Sequence, residues 1–333
     1  GELSLTPNPS PKGRGGPGSV HDDEPHALTL TPLPSPKGRG EPGSAHDNEP
    51  HALTLTPSPS PKGRGADHAT PSDDGRAAYV AAVRGALAAI HAGHAEKLVI
   101  AREERLALPG PLSPTGVIAG LCAMAGAAYF VDDGDAWFFG ASPESLLRAD
   151  GGVVDVDCVA GTEPAAGPAR LLTSEKDRRE HQAVVDDVVE AVTAAGCVDV
   201  DAGVTGVITR GPLRHLFTPV RARAGAVSLA TLVRHLHPTA ATGARPKRAL
   251  PLVRELEGFD RGDYGGFVGV VDGGAVRLSV CLRCARVKDN VATVTVGAGI
   301  VSGSDPDAEW AETEHKARVL LPTLRAALST GAP

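Results

Sequence analysis

Apolar residues recur along this chain with two periods. Tyr79, Val83, Leu87 and Ile90 lie three or four apart, which predicts a helix stopping at Gly93. Val184, Val188 and Val192 stripe a second helix over 175–193, and Glu180 falls one turn earlier on the same face. A glutamate on a buried stripe needs a partner, and a metal ion would supply one. Shorter helices are expected at 228–234 and 246–256. Alternating stretches read as strands. Over 96–102, EKLVIAR places Lys97, Val99 and Ala101 on one face and Leu98, Ile100 and Arg102 on the other. Strands are also expected at 127–130, 136–140, 153–159, 204–209 and 217–223, with Arg214-His215-Leu216 between the last two. A three-stranded meander over 267–272, 275–287 and 291–298 turns at Gly273-Gly274 and Asp289-Asn290. Helices mixed with antiparallel strands define an α+β chain.

The meander runs into 297–316, GAGIVSGSDPDAEWAETEHK. This reads as a strand end, a glycine turn and a helix capped by Ser304 or Asp305, with Pro306 in the first turn. Glu309, Glu312 and Lys316 then share one helical face. Free amides in the turn and at the helix start favour an anion, and two carboxylates beside them favour a hard cation such as Mg²⁺. The plainer alternative is a solvated amphipathic helix after a hairpin. Lys97 at the start of a buried strand face is either solvated at the strand mouth or desolvated and poised as a base. Glu144, after Pro143 in a tight connection, is either a helix-start charge or a general acid at a pocket edge.

Composition narrows the function classes. The chain has 333 residues, enough for one or two domains, and is 41% hydrophobic but only 3% aromatic, so Val, Leu and Ala must fill its core. A net charge of −7 argues against nucleic acid as partner. No run of 18 apolar residues predicts a membrane span, and no apolar stretch near Gly1 resembles a signal peptide. Five dispersed cysteines suit reduced thiols and a cytoplasmic location. Cys281-x-x-Cys284 lies in a strand-like run, where i and i+3 point to opposite faces, against a redox or zinc pair. Starting at Gly1 with Met124 as its single methionine, the sequence reads as a fragment, a processed form or a gene product with an uncertain start.

Residues 5–65 repeat with a period of 25, each copy running from Leu-Thr-Pro to Pro-Lys-Gly-Arg-Gly. Leucines among prolines and glycines cannot offset chain entropy by burial, so residues 1–66 are expected to be disordered and 67–333 to form the catalytic domain. His21, His26, His46 and His51 in the repeats read as accidents of duplication rather than metal ligands.

Seven segments in order carry a resemblance: EKLVIAR at 96–102, GASPESLL at 140–147, VAGT at 159–162, SEKDRREH at 174–181, LHPTAATG at 236–243, RGDYG at 261–265, and the 297–316 motif. From about Asp67 onward the chain resembles the chorismate-utilising enzymes: isochorismate, salicylate, anthranilate and aminodeoxychorismate synthases. The resemblance implies a four-layer α/β/β/α sandwich of two large antiparallel sheets, with the active site in a cleft between them. It also implies that Glu180 and Glu312 hold Mg²⁺ against the ring carboxylate of chorismate, with Glu309 an auxiliary acid. Gly161, Thr162 and Lys316 would face that same carboxylate. Tyr264, Arg283 and Gly297 would hold the enolpyruvyl carboxylate. His215 and His237 are matched as substrate contacts, with structural histidines as the alternative.

Within the family, the resemblance assigns Lys97 as base and Glu144 as acid for adding water at ring C2 while the C4 hydroxyl leaves. Such a base must be neutral. Anthranilate-forming members typically place Gln at the Lys97 position, and aminodeoxychorismate synthases often place a nucleophilic Lys where this chain has Ala160. The expectation is a cytoplasmic, monomeric, Mg²⁺-dependent isochorismate synthase, with no amidotransferase subunit, serving siderophore (2,3-dihydroxybenzoate) or menaquinone synthesis. Salicylate synthase, an aminating component I and an inactive truncated relic are the alternatives. Two departures stand out. Thr242 replaces an aliphatic residue expected to line the ring, and Ala244 replaces a glycine, which predicts strain. Relatives also carry a folded segment of roughly a hundred residues before the Lys97 strand, so the N-terminal part is expected to be truncated.

Overall fold

A computed structural model of the protein describes residues 73–124 and 126–328. The repeats, their histidines and the boundary at 66 lie outside the described residues. Two antiparallel sheets face each other. The first has the order β2 (Ala127–Asp132), β3 (Trp137–Ser142), β12 (Cys284–Lys288), β13 (Val291–Ile300), β1 (Lys97–Ala107) and β9 (Ala244–Arg245). The second has the order β10 (Phe267–Asp272), β11 (Ala275–Val280), β4 (Ser145–Asp150), β5 (Val153–Pro164), β8 (Leu213–Arg223) and β6 (Val198–Ala202), with β7 (Gly206–Arg210) also on β8. No described helix is long and apolar enough to cross a membrane.

Helices cover the outer faces. On the first sheet, α1 (Asp73–His91) and α5 (Leu250–Glu257) bury Val83, Ala86 and Val253 against Leu98, Ile100 and Ile300. Beside them α2 (Pro114–Cys122) and α7 (Leu321–Ala327) enclose Phe139, Val294 and Val296. On the second sheet, α3 (Glu175–Ala195) and α4 (Leu229–Leu236) bury Val184, Val188, Val192 and Leu232 against Val154, Val156 and Val220. The alternation in β1 therefore has the expected sense. Leu98 and Ile100 enter the helix-side core, and Lys97 and Val99 face the cleft.

The helix α6 (Pro306–Arg318) is fixed at its start and along its middle. Asp305 caps it, accepting from the amides of Asp307 and Ala308, with Pro306 in the first turn. Arg102 of β1 donates through Nε to Thr313 Oγ1 at 2.9 Å and lies 4.1 Å over the Trp310 ring.

Several sequence expectations change. The expected strand over 275–287 is two strands. β11 ends at Val280 in the second sheet, and β12 starts at Cys284 in the first. The chain crosses the cleft at 281–283, and Arg283 there adopts φ +47°. Cys281 and Cys284 flank a crossover rather than alternating on one strand, and both are buried free thiols. Glu144 starts no helix; it sits in the turn between β3 and β4. His215 lies inside β8, not in a connection. The strands β4 and β6 and the helices α2 and α7 were not anticipated, because each is short. Ala244 pairs with Leu98 and has no positive φ, so the expected strain is not there.

Removing the cap by Asp305→Ala should lower stability by about 1 kcal/mol. Urea unfolding of the two proteins measures this.

Candidate active site

Residues of both sheets line one cleft, whose empty space of about 490 Å³ includes open solvent. Two glycines of β13 set its floor by what they omit. A Cβ on Gly299 would land on the Glu180 carboxylate and the end of Lys97. A Cβ on Gly297 would stand 2.8 Å from the Tyr264 hydroxyl. These glycines are there for side-chain approach. Four of the amides near the expected anion cradle are engaged within the chain. Val301 N donates to Ser304 Oγ, Ser304 N donates to Val301 O, and Asp305 occupies the amides at the start of α6.

Gly161 takes φ +74° at an irregularity in the β5–β8 pairing, and a Cβ there would meet Asp177 of α3 at 3.3 Å. This bulge aims Thr162 into the cavity. Thr162 Oγ1 lies 3.1 Å from His215 Nδ1. His215 Nε2 is buried without a partner, and burial, then Arg283 and Lys316, push its pKa down to about 3. His215 is thus a neutral imidazole in the cavity wall.

Charged side chains converge from β1, α3 and α6. Lys97, 1% exposed, pairs with Glu180 Oε1 at 3.3 Å. Lys176 Nζ lies 3.2 Å from Glu180 Oε2 and 3.0 Å from Glu309 Oε1. Lys316 pairs with Glu312 at 2.6 Å and donates to Gly297 O at 2.9 Å. Burial alone would raise the Glu180 pKa, but Lys176, Lys97 and Lys316 overcome it and hold the group ionised. Burial and then Glu312 raise the Glu309 pKa, and its Oε2 is buried without a hydrogen-bond partner. Of the three acids expected to hold metal, Glu180 lines the cavity, whereas Glu309 and Glu312 lie outside its lining, joined to it through Lys176 and Lys316. Among the described residues, no three carboxylate, imidazole or thiol groups stand at metal-ligating geometry; Lys176 stands between Glu180 and Glu309 instead.

Glu144 lines the same cavity as Lys97. Burial pushes its pKa up to about 8 against the opposing effect of Lys97, so it carries a proton at neutral pH. Arg283 also lines the cavity, and burial lowers its pKa; among the described residues it forms no ion pair. Tyr264 is buried beside it and raised well above the usual phenol range, by burial first. Together the cavity offers an acid, a lysine and an unpaired guanidinium suited to a planar anion.

Two expected contacts fall elsewhere. His237 does not line the cavity; its Nε2 donates to Gly265 O at 2.8 Å and its ring meets Phe267 edge-on. Thr242 lies behind the wall, where Ala241 takes the lining position. Its Oγ1 is buried and unpartnered, and its carbonyl accepts from Arg261. Sequence reading gave Lys176 no role, although its i, i+4 spacing to Glu180 was visible.

A family model described as "Chorismate binding enzyme" matches residues 46–325. The chain is 36% identical over 267 residues to the "Salicylate biosynthesis isochorismate synthase" of Pseudomonas aeruginosa, covering 76% of this chain and 55% of that protein. It is 34% identical over 285 residues to "Anthranilate synthase component 1" of Streptomyces coelicolor, covering 78% of this chain and 55% of that one. The chain thus spans about half the length of these curated relatives. The solved structure of MenF, the menaquinone-specific isochorismate synthase of Escherichia coli, superposes with a TM-score of 0.66 at 27% identity, covering 76% of this chain and 61% of that one.

Because Lys97 is the main group holding Glu144 down, Lys97→Met should move the Glu144 titration above about 8. A carbon-13 NMR titration of labelled glutamate reads the direction; a shift to lower pH would remove Lys97 from that role.

Proposed function

The chain belongs to the chorismate-binding enzyme family, and from that membership we propose that it is a Mg²⁺-dependent isochorismate synthase acting on chorismate. The supply of 2,3-dihydroxybenzoate or menaquinone is its proposed place in metabolism. The observation that carries the reading is that buried Lys97 and Glu144 line one cavity.

The residues fit a divalent cation. Glu309 Oε2 lacks a partner, and the Glu180 and Glu309 carboxylates already grasp one positive charge between them. Glu180, Glu312 and Glu309 would hold Mg²⁺, which when bound neutralises carboxylate charge and orients the ring acid. Lys316, Gly161 and Thr162 flank that acid. Arg283 and Tyr264 bind the enolpyruvyl carboxylate at the crossover between the sheets. Lys97, held as an ammonium against Glu180 before substrate binds, must first give up that proton; as the neutral amine it then takes one from water as the water oxygen bonds to C2. Glu144 gives its proton to the C4 oxygen as that bond breaks, and the ring double bonds shift between. One water enters and one leaves, so the product is an isomer. Ala160, in the cavity wall, offers no amine to compete with water.

Incubation of the protein with chorismate and Mg²⁺ should give isochorismate by chromatography. Salicylate with pyruvate would instead assign salicylate synthase, and an ammonia-dependent product would assign an aminating enzyme. Absence of both turnover and binding heat would mark a non-catalytic relic. Glu144→Gln keeps a donor but has no proton to give. It should lower kcat on the order of 10²–10⁴-fold. The acid acts while protonated, so wild-type turnover should fall as pH rises through about 8, and that limb should vanish in the variant. An unchanged alkaline limb in Glu144→Gln would remove Glu144 as the acid.

A further inference from the structure

We propose that Tyr129 is a positioning residue for Arg283: its hydroxyl fixes the peptide plane that turns the guanidinium into the cleft. The inference rests on the substrate role given to Arg283 above. Tyr129 lies on β2, the outer strand of the first sheet, and is 5% exposed. Its hydroxyl donates to the carbonyl of Leu282 at 3.1 Å. Among the described residues no other hydrogen bond reaches that carbonyl.

It matters which carbonyl is held. The Leu282 carbonyl belongs to the peptide joining residues 282 and 283, and φ of Arg283 is the rotation between that peptide and the arginine Cα. Arg283 has φ +47°, where any side chain but glycine's costs energy. Turning this one peptide over would return Arg283 to negative φ, re-aim its side chain and barely move the neighbouring Cα atoms. The peptides on either side are held by backbone. Cys281 exchanges hydrogen bonds with Gly265 N and Gly266 O at 2.9 and 2.8 Å, and the Arg283 carbonyl accepts from Ala141 N at 3.3 Å. Tyr129 opposes the turn between them, because it would leave a buried carbonyl and a buried hydroxyl unpaired.

The sheet is built to let the tyrosine reach. Tyr129 stands opposite Gly140 of β3, and Gly140 stands opposite Cys284 of β12. The three form one row, and the side chain crosses the middle strand where no Cβ stands. A Cβ on Gly140 would lie 2.5 Å from the Tyr129 hydroxyl and 2.7 Å from the Arg283 carbonyl oxygen. The ring packs with Phe138, centroids 5.5 Å apart, and with buried Cys281 and Cys284. Burial raises the Tyr129 pKa well above the usual phenol range, so the hydroxyl stays a donor. The thiols do not replace it: a thiol donates weakly, and Cys284 Sγ faces Cys281 O at 3.9 Å.

Crystal structures of the full chain, wild type and Tyr129→Phe, test this. The variant should show residue 283 at negative φ with its guanidinium out of the cleft; an unchanged φ overturns the inference. Calorimetry with chorismate gives a second readout. Tyr129→Phe should weaken binding on the order of tenfold, the effect of withdrawing one hydrogen-bonded charge. Added to Arg283→Gly, which has no guanidinium and takes positive φ freely, it should cost less than about twofold. An equal loss in both backgrounds would mean that Tyr129 serves packing alone, and the inference falls. Should Tyr129→Phe fail to fold, the double variant should fold again, and a double variant that also fails overturns the inference. If the wild type binds no chorismate, the reading of function falls, and the crystal structures still decide this one.

Discussion

Three carboxylates and three lysines meet in one buried cluster, and the rest of the fold accommodates them. Moving a single unpaired charge out of water costs several kcal/mol. Glu180 escapes that cost because Lys97 comes from a strand and Lys176 from its own helix, one to each oxygen. Glu309 has only half that support from lysines, since one oxygen pairs with Lys176 and the other accepts no hydrogen bond at normal geometry. The cluster is therefore balanced in charge but not in hydrogen bonding.

The backbone follows from this. For Glu180 to reach Lys97, α3 must lie close over β13, and only glycine at 299 leaves room. For Arg283 to face the cleft, the chain must leave one sheet and enter the other, which a non-glycine residue achieves here at φ +47°. A positive φ in a non-glycine residue is uncommon and costs energy that neighbouring structure must offset. Here the flanking strands β11 and β12 are each paired within their own sheets, so the crossover is held from both sides.

The large periodic elements were legible in the sequence. The apolar stripe of α3, the alternation of β1 and the single face carrying Glu309, Glu312 and Lys316 follow directly from periods of 3.6 and 2. The crossover was not legible, because LSVCLRCARV alternates well enough for one continuous strand and nothing local marks a change of sheet. His237 and Thr242 were misplaced for a related reason. A loop motif names its residues but does not say which side chains face the cavity, and here Ala241 does so instead. At Gly297 and Gly299 the structure adds a reason the sequence did not show: the neighbouring side chains need the space a Cβ would take.

Glu144 and Glu180 show how one cavity gives two carboxyls opposite states. Both are buried, and burial alone raises the pKa of each. Glu180 touches two ammonium groups directly and stays ionised. Glu144, in the β3–β4 turn, has no ion pair among the described residues; Lys97 influences it only through space, and it keeps its proton to about 8. The difference comes from contact, not from residue type or depth. Lys97 influences both, so a change in its partner at Glu180 is felt at Glu144 as well. The ionised state of Glu180 and the protonated state of Glu144 are thus coupled through one lysine, the first residue of β1.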